Sequence, residues 1–162
     1  MIRELAKAAR DKVEHIHLLL HSSGGLVNEG IGLYNYLRAY PIEVSIYNMS
    51  CLQSAAVTVY LGATRRIVGR HAKFMIHSAY SSGSAVLQQD EKSLNKILQG
   101  VRANNEMIRP ILERHIKNAK AELSTLPNAE IWYSASQAVK VGIANSIGDF
   151  SPPKGTRIEN FF

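Results

Sequence analysis

A chain of 162 residues, 46% apolar and 20% charged, is long enough for one packed core and too apolar for a disordered segment. No apolar run approaches the roughly 18 residues a membrane span needs, and the charged, mixed first 13 residues lack the apolar middle of a secretory signal. Cys51 is the single cysteine, so no internal disulfide forms, and a reducing cytoplasm is the expected compartment.

The net charge of +6 raises nucleic acid as a partner. The basic residues fall into two groups: Arg65, Arg66, Arg70, His71 and Lys73, and Arg109, Arg114, His115, Lys117 and Lys120. Neither group interleaves aromatics as a base-stacking platform does, so both read as solvated faces or subunit contacts. No nucleic acid and no membrane are expected as partners.

Residues 1–14 read as an N-terminal helix, with Leu5, Ala8, Ala9 and Val13 as its apolar face. Residues 15–21 read as a buried strand, and residues 22–25 as a turn. A helix with Val27, Ile31, Tyr34 and Leu37 on one side follows over residues 27–40, stopped by Pro41. Residues 43–47 alternate like a strand. The apolar, alanine-rich residues 51–61 read as a buried helix with Gly62 as its C-cap. Short strands are expected over 66–68 and 73–77, then a Ser- and Gly-rich loop over 78–85 that is expected to be mobile.

The longest helical pattern runs over residues 89–121, with Leu94, Leu98, Val101, Ile108, Leu112 and His115 on one stripe that Asn105 interrupts. A helix of about 30 residues would extend roughly 45 Å, more than a small domain covers, so part of it is expected to pack on another subunit. A break over 124–128 contains Pro127. A strand over 131–133 leads to Ser134-x-x-Gln137, the pattern of a capping box, opening a helix that ends near Gly142. A last strand covers 145–147, and residues 151–162 form a loose tail. There are no repeats and no linker, so residues 1–162 read as one domain of alternating β and α units.

The chemistry concentrates in three places. The apolar run Leu18-Leu19-Leu20 ends in His21-Ser22-Ser23-Gly24-Gly25, immediately before a helix. Two glycines allow positive φ and leave main-chain N–H groups uncovered, where they could meet a developing negative charge. Ser54 and His77 could supply a nucleophile and a base. Each has a plain alternative: Ser54 as a small residue packed in a helix, His77 as a strand-end histidine, Gly24-Gly25 as a simple tight turn. Ser50 and Cys51 compete as nucleophiles. His15 and His17 alternate on one strand face, but no further Cys, Asp or Glu stands at ligand spacing, so no metal site is read there and no cofactor is expected.

In order along the chain, the glycine turn at residues 18–27, NMSCLQSAA at 48–56, the segment 62–68 followed by AKFMIH at 72–77, and the closing unit 132–147 resemble the proteolytic-subunit family of the Clp protease, ClpP, within the ClpP/crotonase superfamily. The resemblance covers about His15 to Gly148. It implies an α/β fold, the ClpP/crotonase-like repeated ββα superhelix, with a long protruding handle helix within residues 78–121. It further implies a serine endopeptidase: Ser54 as nucleophile, His77 as general base, Glu130 at the acid position, and the N–H groups of Gly25 and Ala55 as the oxyanion hole. Asn128 is the alternative orienter. Residues 26–28 and 78–85 would flank a peptide bound as an added strand.

The implied assembly is a homo-oligomer of stacked rings around a chamber, acting on peptides or unfolded proteins. Four features depart from the family pattern. Ser23 replaces a proline, the nucleophile segment lacks the family's glycines, the stretch from Ser54 to Gly62 is one residue short, and Glu130 stands for Asp. The family's N-terminal strand and axial loop are largely missing, which counts against docking of the usual Clp-type ATPase. Two other functions remain in view: a catalytically impaired scaffold subunit of the same family, and a crotonase-type acyl-CoA enzyme.

Overall fold

The computed structural model describes residues 1–81, 90–124 and 129–156. The expectations for 82–85, for Pro127 and Asn128 and for 157–162 lie outside the described residues. Among the described residues, seven strands and six helices follow in the order α1 (Ile2–Arg10), β1 (His15–Leu19), α2 (Val27–Ala39), β2 (Glu43–Asn48), β3 (Cys51–Gln53), α3 (Ala55–Leu61), β4 (Arg65–Val68), β5 (Lys73–Ile76), α4 (Glu91–His115), α5 (Ala119–Leu123), β6 (Ile131–Ser134), α6 (Ala135–Val141) and β7 (Ser146–Ile147). They build two sheets. One is parallel throughout, in the order β1-β2-β4-β7; the other has the order β3-β5-β6, with β3 and β5 parallel and β5 and β6 antiparallel.

The core lies between these sheets and helices α2, α3 and α6. Its fully buried members include Ile46, Leu52, Val57, Tyr60, Leu61, Val68, Phe74, Ala138 and Ile143. All seven residues of α3 are buried, so this helix is the centre around which the rest packs. Helix α2 approaches it closely at two glycines. A Cβ on Gly30 would stand 2.9 Å from the Ala55 carbonyl, and one on Gly62 would stand 3.0 Å from the Tyr34 backbone.

Several elements differ from the sequence expectation. The run 51–61 is not one helix. Its first three residues pair with β5 as Cys51↔Lys73, Leu52↔Phe74 and Gln53↔Met75, and the helix begins only at Ala55. A short apolar run buried on all sides carries no period that separates strand from helix, and here the neighbouring strand decided. Gly62 does cap α3, but with φ −71°; close contact with Tyr34, not left-handed backbone, requires glycine there.

Strand β1 is half-buried rather than buried, because it forms the edge of its sheet. In α1 only Leu5 is buried; Ala9 and Val13 are exposed. The long helix is shorter than its pattern. Asp90 caps its start, accepting from the Ser93 N–H at 2.9 Å, and it stops at His115. There Lys117 N–H turns away to the Val141 carbonyl at 2.7 Å. The capping box of α6 is present as read, with both reciprocal bonds, and Gly142 closes that helix in the left-handed region at φ 96°.

His115 does not belong with the charged surface group. It is half-buried, its ring bonds the Tyr34 hydroxyl at 3.1 Å, and burial with Arg66, Arg38 and Arg114 nearby holds its pKa down to about 4. Arg66 is likewise internal, with its guanidinium on the carbonyls of Ile143, Ala63 and Gly142.

Candidate active site

Ser54 is the hinge between β3 and α3. Its backbone sits at φ 55°, ψ −130°, a region that non-glycine residues rarely occupy and that costs on the order of 1–3 kcal/mol. Two neighbours hold it there. Its N–H donates to the Met75 carbonyl of β5 at 2.8 Å, and Gln53 N–H donates to the Ser22 carbonyl at 3.1 Å. A sharp strand-to-helix turn of this kind lifts a hydroxyl clear of the sheet at the end of a helix. The sequence reading placed Ser54 near a helix start; it did not foresee the strained turn, because residues 51–53 read as helix.

The glycine turn is brought against this hinge. Ser22 bridges to Leu52 in parallel, and Gly24 N–H donates to the Ser22 hydroxyl at 3.1 Å. Gly24 lies at φ 103°; a Cβ there would come within 2.7 Å of Ser54 Cβ, 2.9 Å of the Gln53 carbonyl and 3.3 Å of the Ala55 nitrogen. The turn therefore faces the Ser54–Ala55 peptide directly. Gly25, at φ 156°, would meet nothing within 4 Å, so it borders open space. Chemically, the arrangement can present a hydroxyl beside the amide of Ala55, one of the N–H groups that a first helical turn leaves without an intrahelical partner.

His77 follows β5 directly, two residues beyond the carbonyl that holds Ser54. Its Nδ1 contacts the Ser78 carbonyl, an acceptor only. Nδ1 therefore donates in this contact, and in the neutral ring that leaves Nε2 the lone pair a general base requires. The Tyr80 ring lies 5.2 Å from the imidazole, and Ala79 N–H donates to Asn105 Oδ1 of α4 at 2.7 Å. Asn105, which looked like a flaw in an apolar stripe, anchors the chain just after His77. No local sequence signal marks that role, since the partners are 26 residues apart.

Glu130 stands one residue before β6. The β5–β6 ladder ends on the Ile76↔Ile131 pair, and His77 and Glu130 are the next residue on each side of it. By strand alternation they fall on the face shared by the Met75↔Trp132 pair. Glu130 is exposed, and its Oε2 accepts from Trp132 Nε1 at 3.1 Å. The structure thus gathers Ser54, Ala55 and the glycine turn, and sets His77 and Glu130 at the end of one ladder. Among the described residues, no hydrogen bond joins Ser54 to His77 or His77 to Glu130.

The competing residues are elsewhere engaged. Cys51 lies half-buried in β3, with the Gln53 side chain 3.5 Å from its sulfur. His15 and His17 stack at 4.3 Å and bond Ser45 and Tyr47 on the neighbouring strand. Burial, then His15, lowers the pKa of His17. Among the described residues no group of three or more His, Cys, Asp or Glu side chains is placed to hold a metal ion, and no helix is long and apolar enough to cross a membrane.

Comparison with known proteins gives the family. The Clp protease family model matches residues 1–150. The ATP-dependent Clp protease proteolytic subunit 2 of Corynebacterium diphtheriae is 27% identical over 150 residues, covering 88% of this chain and 71% of that protein. The ATP-dependent Clp protease proteolytic subunit of Acorus calamus is 28% identical over 147 residues, covering 86% and 68%. Among solved structures, the ClpP1 N165D mutant from Listeria monocytogenes superposes with a TM-score of 0.70 at 18% identity, over 91% of this chain and 83% of that one. The chain belongs to the Clp protease family. Its fold is the α/β fold of ClpP, as the order of motifs implied.

Proposed function

We propose that this chain is a serine endopeptidase subunit that hydrolyses peptides or unfolded proteins. Ser54 is the nucleophile, His77 the general base, Glu130 the acid that orients His77, and the N–H groups of Gly25 and Ala55 form the oxyanion hole. The observation that carries the reading is the Ser54 turn: a strained serine between strand and helix, packed against a glycine turn and tied to the strand that leads into His77.

The reaction runs in two halves. Ser54 Oγ attacks the scissile carbonyl while His77 Nε2 takes its proton. The negative oxygen settles on the two amides, each worth roughly 3–4 kcal/mol in the transition state. Collapse breaks the C–N bond, and the imidazolium returns the proton to the leaving amine. Water, deprotonated by the same imidazole, then cleaves the acyl-serine ester. Contact with the Ser78 carbonyl already fixes the tautomer of His77 but brings no full negative charge. Stabilising the imidazolium requires Nδ1–H to pass from that carbonyl to Glu130.

The proposed setting is a homo-oligomer of stacked rings that encloses the sites. Enclosure lets an unselective peptidase coexist with folded proteins. The curated relatives are named ATP-dependent, so folded substrates would need an ATPase partner, whereas short peptides would not.

A fluorophosphonate probe and a fluorogenic peptide test the reading without any ATPase. Labelling and hydrolysis should both disappear in Ser54→Ala and persist in Cys51→Ala. Hydrolysis that survives unchanged in Ser54→Ala would remove Ser54 as the nucleophile. A second reading, an impaired scaffold subunit, draws on the absence of a Ser54–His77 hydrogen bond among the described residues; a wild-type protein that neither labels nor hydrolyses would favour it.

A further inference from the structure

We infer that Trp132 is a positioning residue for the acid of this site: its indole N–H holds the Glu130 carboxylate in the orientation that serves His77. The inference rests on the reading of Glu130 as the third member of the triad. Trp132 is 47% exposed although it is the largest apolar side chain of β6, and its neighbour Tyr133 is buried. Burial therefore does not account for its placement. Its N–H is a donor only, and it is spent on Glu130 Oε2 at 3.1 Å.

The geometry makes that bond useful. Trp132 and Glu130 are two apart on one strand and share a face. Trp132 opposes Met75, and continuing that register one residue past Ile76↔Ile131 makes Glu130 the position opposite His77. A carboxylate can accept at both oxygens. With Oε2 held by the indole, Oε1 remains for the imidazole N–H. Glutamate carries one more rotatable bond than aspartate, and here it is exposed, so an unrestrained side chain would spread over several rotamers. A fixed donor two residues along removes much of that freedom, which offers a physical reason why a glutamate could serve at this position.

The test uses the full chain in its native assembly and follows peptide hydrolysis from about pH 5 to 9, the range in which histidine titrates. Variants are Trp132→Phe, which keeps a ring and removes the N–H, Trp132→His, which restores a ring N–H, Glu130→Ala, and Glu130→Ala combined with Trp132→Phe. Trp132→Phe should lower kcat about tenfold with KM unchanged, the scale of one lost hydrogen bond. The acidic limb of kcat/KM should move to lower pH, since a disordered carboxylate stabilises the imidazolium less. Trp132→His should recover part of the loss, and Trp132→Phe should add nothing in the Glu130→Ala background.

Wild-type kinetics in Trp132→Phe, alongside an impaired Glu130→Ala, would overturn the positioning role alone. A Trp132→Phe loss that persists undiminished without Glu130 would show a packing role and overturn it equally. Wild-type kinetics in Glu130→Ala would instead remove Glu130 from the triad, and the inference with it. If Trp132→Phe does not assemble, Trp132→Leu is read by the same criteria.

Discussion

At the scale of single residues, the site depends on one contact that leaves no room for a side chain. Gly24 is pressed against Ser54 Cβ and the Gln53 carbonyl, and its φ of 103° is itself a glycine conformation. Gly24→Ala must therefore clash and strain together. Stability should fall by about 1–3 kcal/mol, seen in the urea midpoint. Fluorophosphonate labelling of Ser54 should be lost even where the fold survives, because the Ser54–Ala55 peptide is the part that must move. Retained labelling at wild-type rate would show that the glycine turn does not shape the Ser54 hinge. The pair Gly24-Gly25 was legible as a turn from the sequence. Which glycine touches the serine was not, because the two lie about thirty residues from Ser54 and are brought to it by the Ser22–Leu52 bridge.

At the scale of elements, the end of α4 carries a pH dependence. His115 is held neutral by burial and by Arg66, Arg38 and Arg114, with its pKa down at about 4 against 6.5 for a free side chain. Between those values the unfolded chain holds more protons than the folded one. Stability is therefore complete above about pH 6.5 and is lost as pH falls toward 4. The ring is half exposed, so solvent screening reduces the effect to roughly 1–2 kcal/mol. Thermal midpoints should fall on acidification from neutral pH to about 5, and His115→Gln should flatten that slope; an equal slope in the variant would clear His115 of the effect. This histidine had read as part of a basic surface. Its true setting is the contact with Tyr34, 81 residues away, which no pattern along α4 reveals. The capping box of α6, by contrast, was legible because both partners lie within four residues of sequence.

At the scale of the whole molecule, the first turns of α4 have apolar residues without a core beneath them. Leu94 is 47% exposed and Leu98 45%, whereas Leu112, near the other end of the same stripe, is buried. A stripe that is core at one end and bare at the other fits a helix that meets a second copy, the stacked-ring assembly proposed above. Leu94→Glu with Leu98→Glu should leave the subunit folded and reduce its sedimentation coefficient to that of a smaller species. An unchanged coefficient would place the contact between copies elsewhere.

Although β3 and α5 are not separate elements in its pattern, the sequence by itself determined the α/β class and the order of most elements. Those features are written locally, in hydrophobic period, glycine pairs and capping residues. Tertiary structure decided that residues 51–53 are a strand, that Ser54 is a strained hinge, and that Asn105 anchors the chain just after His77. Each of these is a contact across the fold. A strand partner or a hydrogen bond between distant segments outweighs the weak local preference of a short run, and only packing reveals which partner a residue meets.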